Sequence, residues 1–172
     1  MRILCGQTGY NSAVDADRLV RRREVTPNEF TFVSDIMRAP AITISPEAGL
    51  DRALSIMRSQ RIRHLPVIEN GEMIGVISDR DLRLSMVEME HGPEGAPKGY
   101  FLPALTKIRT VMVTHVLTTS PTMPLANAAT IMSERKIGCL PVLEPGTKKV
   151  VGILTESDML RLLAKLLKQK GL

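Results

Sequence analysis

The sequence contains one pattern twice. Setting residues 35–68 against residues 110–143, an offset of 75, brings Met37 onto Met112, and Thr43, Ser45 and Pro46 onto Thr118, Ser120 and Pro121. Leu50, Ala53, Ile56 and Met57 fall on Leu125, Ala128, Ile131 and Met132. Ile62, Leu65, Pro66 and Val67 fall on Ile137, Leu140, Pro141 and Val142, making 12 identities in 34 aligned pairs. After two extra residues in the second copy the match resumes at an offset of 77, with Gly75 on Gly152 and Asp81 on Asp158. The extra residues fall in Glu144-Pro145-Gly146-Thr147-Lys148-Lys149, opposite Glu69-Asn70-Gly71-Glu72. Both are turn-rich segments between apolar runs, where hairpin loops tolerate a change of length. A repeat of this kind is one supersecondary unit used twice, each copy burying its apolar face against the other.

Within each copy the pattern reads β-α-β-β-α. A short apolar strand, Ala41-Ile42-Thr43-Ile44 or Val116-Leu117-Thr118, leads into Ser-Pro. Ser45 and Ser120 suit an N-cap, whose side-chain oxygen accepts an orphan backbone N–H. Pro46 and Pro121 suit the first helical position, where a missing N–H is harmless. Leu50, Ala53, Leu54 and Met57 then recur at helical spacing, as do Leu125, Ala128, Ala129 and Met132, and the methionines are read as core. Two strands follow, Leu65–Ile68 and Met73–Ile77, around the hairpin signal Asn70-Gly71. The second copy has Leu140–Leu143 and Val150–Leu154. Further helices start at Asp79 and Glu156. The last one carries Met159, Leu160, Leu162, Leu163, Leu166 and Leu167 on a broad apolar face. Arg161, Lys165, Lys168 and Lys170 stand where a helix C-terminus favours cations.

The expectation is an α/β (α+β) fold of two tandem repeats packed face to face around one continuous core. Residues 1–32 form an N-terminal extension, 33–85 the first repeat and 86–106 a linker. Residues 107–165 form the second repeat and 166–172 the end of the last helix. The linker stretch His91–Gly99 is rich in breakers and reads as mobile.

Composition narrows the function. With no Trp and 3% aromatic residues, the core is aliphatic, built from Leu, Ile, Val, Ala and the 10 Met. The net charge of +5 admits nucleic acid, a membrane surface or an anionic small ligand, but the cations are scattered, as on a solvated surface. Arg21-Arg22-Arg23 reads as part of a solvated basic tail. Cys5 and Cys139 have neither metal spacing nor the look of a disulfide framework, which points to a reducing cytoplasm. No run approaches the roughly 18 apolar residues of a membrane span, and the apolar start is too short for a signal peptide.

The repeat carries His64-Leu65-Pro66-Val67-Ile68 and Gly75-Val76-Ile77-Ser78-Asp79-Arg80-Asp81-Leu82 in the first copy. The second has Cys139-Leu140-Pro141-Val142 and Gly152-Ile153-Leu154-Thr155-Glu156-Ser157-Asp158-Met159. With the openings Val33-Ser34-Asp35-Ile36-Met37 and Arg109-Thr110-Val111-Met112, this resembles the cystathionine-β-synthase (CBS) domain family, as a tandem pair or Bateman module. The resemblance covers residues 33–85 and 107–163. It implies two β-α-β-β-α units joined through their sheets about a pseudo-twofold axis, with a cleft on each side. In such clefts relatives hold AMP, ADP, ATP or S-adenosylmethionine, so a regulatory sensor of an adenosine ligand is implied, signalling to an effector protein. A homodimer is implied too.

The same resemblance implies Asp81 and Asp158 as ribose ligands, since a carboxylate accepts both hydroxyl protons. Ser78 and Thr155 would lie beside the sugar, and Thr43 and Thr118 would line the adenine pocket, with Ile42 and Ile44 covering the base. Pro66 and Pro141 belong to the same motifs. Phosphates would meet Arg63 and His64, with Arg80 nearby. The second copy departs here: Gly138-Cys139 carries no charge, leaving only Arg135 and Lys136, so two unequal clefts are expected. Ser78 with Asp81, and Thr155 with Asp158, also match a capping box, and one carboxylate can serve both roles.

Other chemistry is missing from the sequence. Gly6-Gln7-Thr8-Gly9 lacks the Gly-Lys-Ser/Thr ending of a phosphate loop, and His64, His91 and His115 form no zinc pattern. No nucleophile elbow is present. The two copies fill nearly all of the chain, so a stand-alone module that is not itself an enzyme is expected. A protein–protein interaction module without nucleotide is the alternative. A nucleic-acid binder is disfavoured because single strands bind by stacking on aromatics, and the chain has few.

Overall fold

The structure is a computed structural model that describes residues 31–91, 93, 96, 98–103 and 105–169. Cys5, Gly6–Gly9, Arg21–Arg23 and Lys170, singled out above, lie outside the described residues. The first copy comprises helix α1 (Leu50–Gln60), strands β1 (His64–Glu69) and β2 (Glu72–Ser78), and helix α2 (Asp79–Leu84). The second comprises α3 (Leu125–Arg135), β5 (Cys139–Leu143), β6 (Val150–Thr155) and α4 (Glu156–Gln169). Between them run β3 (Val87–Met89) and β4 (Gly99–Phe101), an antiparallel pair that the breaker-rich linker composition did not announce.

β1 and β2 pair antiparallel, and so do β5 and β6. Asn70 and Gly71 both take positive φ, 51° and 83°, the conformation a two-residue hairpin with matching twist requires. The expected first strands shrink to single parallel bridges, Ile44 to Val67 and Thr119 to Val142.

The opening of each copy packs into the other copy. Arg38 exchanges two backbone hydrogen bonds with Ile153, at 2.9 and 3.0 Å, and so lies beside β6. Val113 does the same with Val76, both at 2.9 Å, and lies beside β2. Gly75 and Gly152 make this approach possible. A Cβ at Gly75 would sit 2.8 Å from the Val113 carbonyl oxygen, and one at Gly152 would sit 2.8 Å from Met37 Sδ and 2.9 Å from the Arg38 carbonyl oxygen. The alignment placed these glycines opposite each other, and the crossing explains why both are glycine.

The core is consequently two clusters, each completed by the other copy, where one continuous core was expected. Ile108, fully buried, belongs to the cluster of Leu50, Met57, Leu65, Ile77 and Leu82. Val33, fully buried, belongs to the cluster of Leu125, Met132, Leu140 and Leu154. Each such side chain contributes about 2 kcal/mol by leaving water.

The exchange also corrects the helix starts. A helix beginning at Pro46 would direct the Leu50 N–H to the Pro46 carbonyl. Leu50 N–H goes instead to Thr106 O (3.3 Å), and Pro46 O accepts from Arg109 N–H (3.0 Å). Leu125 N–H and Pro121 O are likewise committed to Thr31 and Ser34. Ser45 therefore caps a local turn, accepting from Glu47 N–H at 3.2 Å, and the helices begin at Leu50 and Leu125 after Gly49 and Pro124.

Candidate functional site

One cleft lies between the copies. The segment from Arg38 to Ile42 and the chain from Gln60 to His64 contribute one part of its lining, and Ile153, Thr155, Ser157 and Arg161 contribute the other. Each element is held locally. Arg38 is fixed by its ladder to Ile153. Arg61 ends α1 in the left-handed conformation at φ 53°, so that Ile62 N–H reaches back to Met57 O at 2.9 Å in a Schellman-type closure. The Arg63 carbonyl accepts from Asp79 N–H at 3.0 Å, which ties the cleft to the start of α2. His64 begins β1 opposite Ser78, and its ring faces Gly138, where a Cβ would lie 3.2 Å from Cε1. Burial, and then the charge of Arg63, hold the imidazole below its ordinary pKa.

Asp158, 6% exposed, is not itself in the lining but is bonded to three residues that are. Its Oδ2 accepts from Thr155 N–H at 2.9 Å and from the Thr155 hydroxyl. Its Oδ1 accepts from Arg161 Nη2 at 2.8 Å and from Arg38 Nε at 3.3 Å. One oxygen thus caps α4 while the other holds two guanidinium groups from different copies. In the first copy the capping box is complete: Asp81 Oδ2 accepts from Ser78 N–H (2.8 Å) and Ser78 Oγ (2.6 Å), and Asp81 N–H donates to Ser78 Oγ (3.3 Å). The capping role is therefore present in both copies.

The repeat relates this cleft to a second set of residues, and the charges do not follow. Arg38 corresponds to Val113, Arg63 to Gly138, His64 to Cys139 and Arg161 to Leu84. Val113 is 48% exposed and Leu84 76% exposed, so neither is needed for the core. Burial, with help from Asp81 and Glu156, pushes the Cys139 thiol up to about 12, which leaves it a neutral thiol. Ser78, Arg80 and Asp81 do not line this cleft and align with Thr155, Ser157 and Asp158. Among the described residues no group of His, Cys, Asp and Glu could hold a metal ion.

Of the residues singled out in the sequence, Arg63, His64 and Thr155 line the cleft, and Asp158, outside the lining, is bonded to Thr155, Arg38 and Arg161. Thr43 is not in the lining, which ends at Ile42 on this segment, and Thr118 is its counterpart in the other copy. Pro66 and Pro141 are buried in their strands, so their side chains cannot meet a ligand there. Their carbonyls accept from Ile44 N–H (3.0 Å) and Thr119 N–H (2.9 Å) and so position the neighbouring wall. Arg38 and Arg161 were missed. The contrast of Arg38 with Val113 and of Arg161 with Leu84 in the aligned copies was the available signal.

This geometry has counterparts in known proteins. The model of the CBS domain matches residues 33–88 and again 108–165. The chain belongs to the CBS domain family. A CBS domain-containing protein of Dictyostelium discoideum is 34% identical over 137 residues, which cover 79% of this chain and 93% of that protein. The CBS domain-containing protein YhcV of Bacillus subtilis is 28% identical over 127 residues, covering 74% and 81%. The crystal structure of the CBS domain pair of protein MJ0100, in complex with 5′-methylthioadenosine and S-adenosyl-L-methionine, is 27% identical with a TM-score of 0.64, covering 79% of this chain and 98% of that one.

Enzymes also carry this CBS pair. The match to homoserine O-acetyltransferase of Methanococcoides burtonii, at 28% identity, spans 77% of this chain but 24% of the enzyme. The shared part is thus about a quarter of a much longer protein. No helix among the described residues is long and apolar enough to cross a membrane.

Proposed function

We propose that this CBS pair is a regulatory module that binds an adenosine ligand in the cleft between its copies and passes the change to an effector protein, without itself being an enzyme. The observation that carries this reading is the convergence, on one cleft, of Thr155 and Arg161 from the second copy, both bonded to Asp158, with Arg63 and His64 from the first. A carboxylate at a helix start can accept ribose hydroxyls, and cations a few residues away can meet phosphates. Ile42, 40% exposed and in the lining, offers an apolar surface to a base. The 27%-identical pair in complex with 5′-methylthioadenosine and S-adenosyl-L-methionine supports the ligand class. The cleft with Arg63 is the working one, and the cleft with Gly138 and Cys139 is weak.

Assembly is part of the proposal. Leu160, Leu163 and Leu167 form an apolar stripe on α4, exposed at 64%, 51% and 41%. Such a stripe suits a homodimer contact. A reducing cytoplasm fits a module whose described cysteine, Cys139, is free.

The test is the melting temperature of the protein with AMP, ADP, ATP and S-adenosylmethionine at millimolar concentration. A ligand that binds the folded state alone raises it. A rise of several degrees with at least one ligand is expected. No rise with any of them, in a folded protein, would contradict the reading and favour an interaction module that works without nucleotide.

A further inference from the structure

The charge on the cleft is specific enough to separate the ligand classes, given the adenosine-binding reading on which this inference rests. Arg38, Arg61, Arg63 and Arg161 all line it, and no Asp or Glu is among its lining residues. The carboxylate bonded to the lining, Asp158, already holds Arg38 and Arg161. Four guanidinium charges against this one carboxylate leave a surplus of three. The other carboxylates whose charge reaches His64 are Asp79, Asp81 and Glu156, and none of them lines the cleft. Asp79 is itself paired with Arg83 at 2.9 Å. The second copy serves as an internal reference: at the four arginine positions it has Val113, Lys136, Gly138 and Leu84, so three of the four charges are gone.

We propose that this cleft selects an adenosine ligand with two or three phosphates over one with a sulfonium or no charge, and that Arg38 and Arg161 make the selection by exchanging Asp158 for phosphate. Both guanidinium groups converge on a single oxygen, Asp158 Oδ1, which a planar fork can leave for the several oxygens of a phosphate chain. Their departure frees Oδ1 to accept ribose hydroxyls, while Oδ2 keeps the cap on α4 through Thr155. The exchange reconciles the capping role of Asp158 with a ligand role. It also sets a sign: a sulfonium cation entering the same cleft meets the arginine surplus and has no free carboxylate to pair with.

The experiment is a calorimetric titration of the full chain with ATP, S-adenosylmethionine and adenosine. It is repeated on Arg38→Val/Arg161→Leu, which carries the second copy's residues at exposed positions. ATP is expected to bind at least tenfold more tightly than either other ligand. The double variant is expected to lose at least tenfold in ATP affinity and little for adenosine. ATP affinity of the unaltered chain should also fall steeply between 50 and 500 mM salt, by about tenfold or more, a measurement that does not depend on the variant folding. Tighter or equal binding of S-adenosylmethionine or adenosine overturns the inference and leaves the adenosine reading standing. An ATP affinity indifferent to salt or to the double substitution also overturns it. No binding of any of the three overturns both.

Discussion

The two copies share a backbone and differ in what they do with it. Their helices α1 and α3 both run eleven residues and both end on a left-handed cation, Arg61 at φ 53° and Lys136 at φ 52°. Their hairpins have the same register break, after Val67 and after Val142. Their glycines at 75 and 152 each admit the crossing opening of the other copy. The cleft lining is where they part: Arg38, Arg63, His64 and Arg161 align with Val113, Gly138, Cys139 and Leu84. The positions that hold the backbone stay alike, and charge diverges along the cleft. Asp81 and Asp158 stay alike, and both cap the helix that follows.

The largest effect that would break the equivalence of the copies concerns the exchanged openings. Ile108 lies in the second copy by sequence and in the first copy's core by packing. Ile108→Ala is expected to cost about 3 kcal/mol in a denaturant melt. Amide exchange should then open first over α1, β1 and β2, and if it opened first over α3 and β5 the exchange would be wrong. Next comes Gly152→Ala. Its Cβ would press on the Arg38 carbonyl as well as on the Met37 side chain, and backbone yields less readily than a thioether. A loss of about 2 kcal/mol is expected from overpacking, together with weaker ligand binding because Arg38 is displaced. A stable Gly152→Ala protein with unchanged affinity would mean that the crossing is loose.

A smaller effect is set by His64. Its pKa in the folded protein lies below the ordinary value of 6.5, chiefly because burial disfavours the imidazolium. The unfolded chain therefore binds more protons as the pH falls below about 6.5. The stability contributed by neutral His64 is fully present above that pH and declines as the pH falls through and below it. Comparing unfolding free energies at pH 7.5 and 5.5 in the parent and in His64→Gln isolates this contribution, since the other groups titrate alike in both. A smaller pH dependence is expected in the variant, and an identical one would show the imidazole to be solvated.

Much of this was legible in the sequence because it is local or repeated. The helix spacing of Leu50, Ala53 and Met57, the Asn70-Gly71 turn and the Ser78 to Asp81 box all depend on residues a few positions apart. The exchange was not legible. Hydrogen bonds such as Arg38 to Ile153 connect segments more than a hundred residues apart, and no local pattern marks Val33 as belonging with Leu140. That exchange also displaced the helix starts expected at Pro46 and Pro121, because it claims their carbonyls. The pairing of Val87–Met89 with Gly99–Phe101 was hidden by the breakers between them. Arg38 was not singled out, and Arg161 was read only as a helix-end cation, because both flank the motifs and are brought to Asp158 only by the fold.

The central claim is that one cleft, the one built on Asp158, does the binding. Calorimetric titration with ATP on the parent, Asp158→Asn and Asp81→Asn tests it most directly, since asparagine keeps an oxygen for the cap and removes the charge. One site per chain is expected, weakened at least tenfold by Asp158→Asn and changed less than twofold by Asp81→Asn. Two equal sites per chain, or equal losses from the two substitutions, would contradict it.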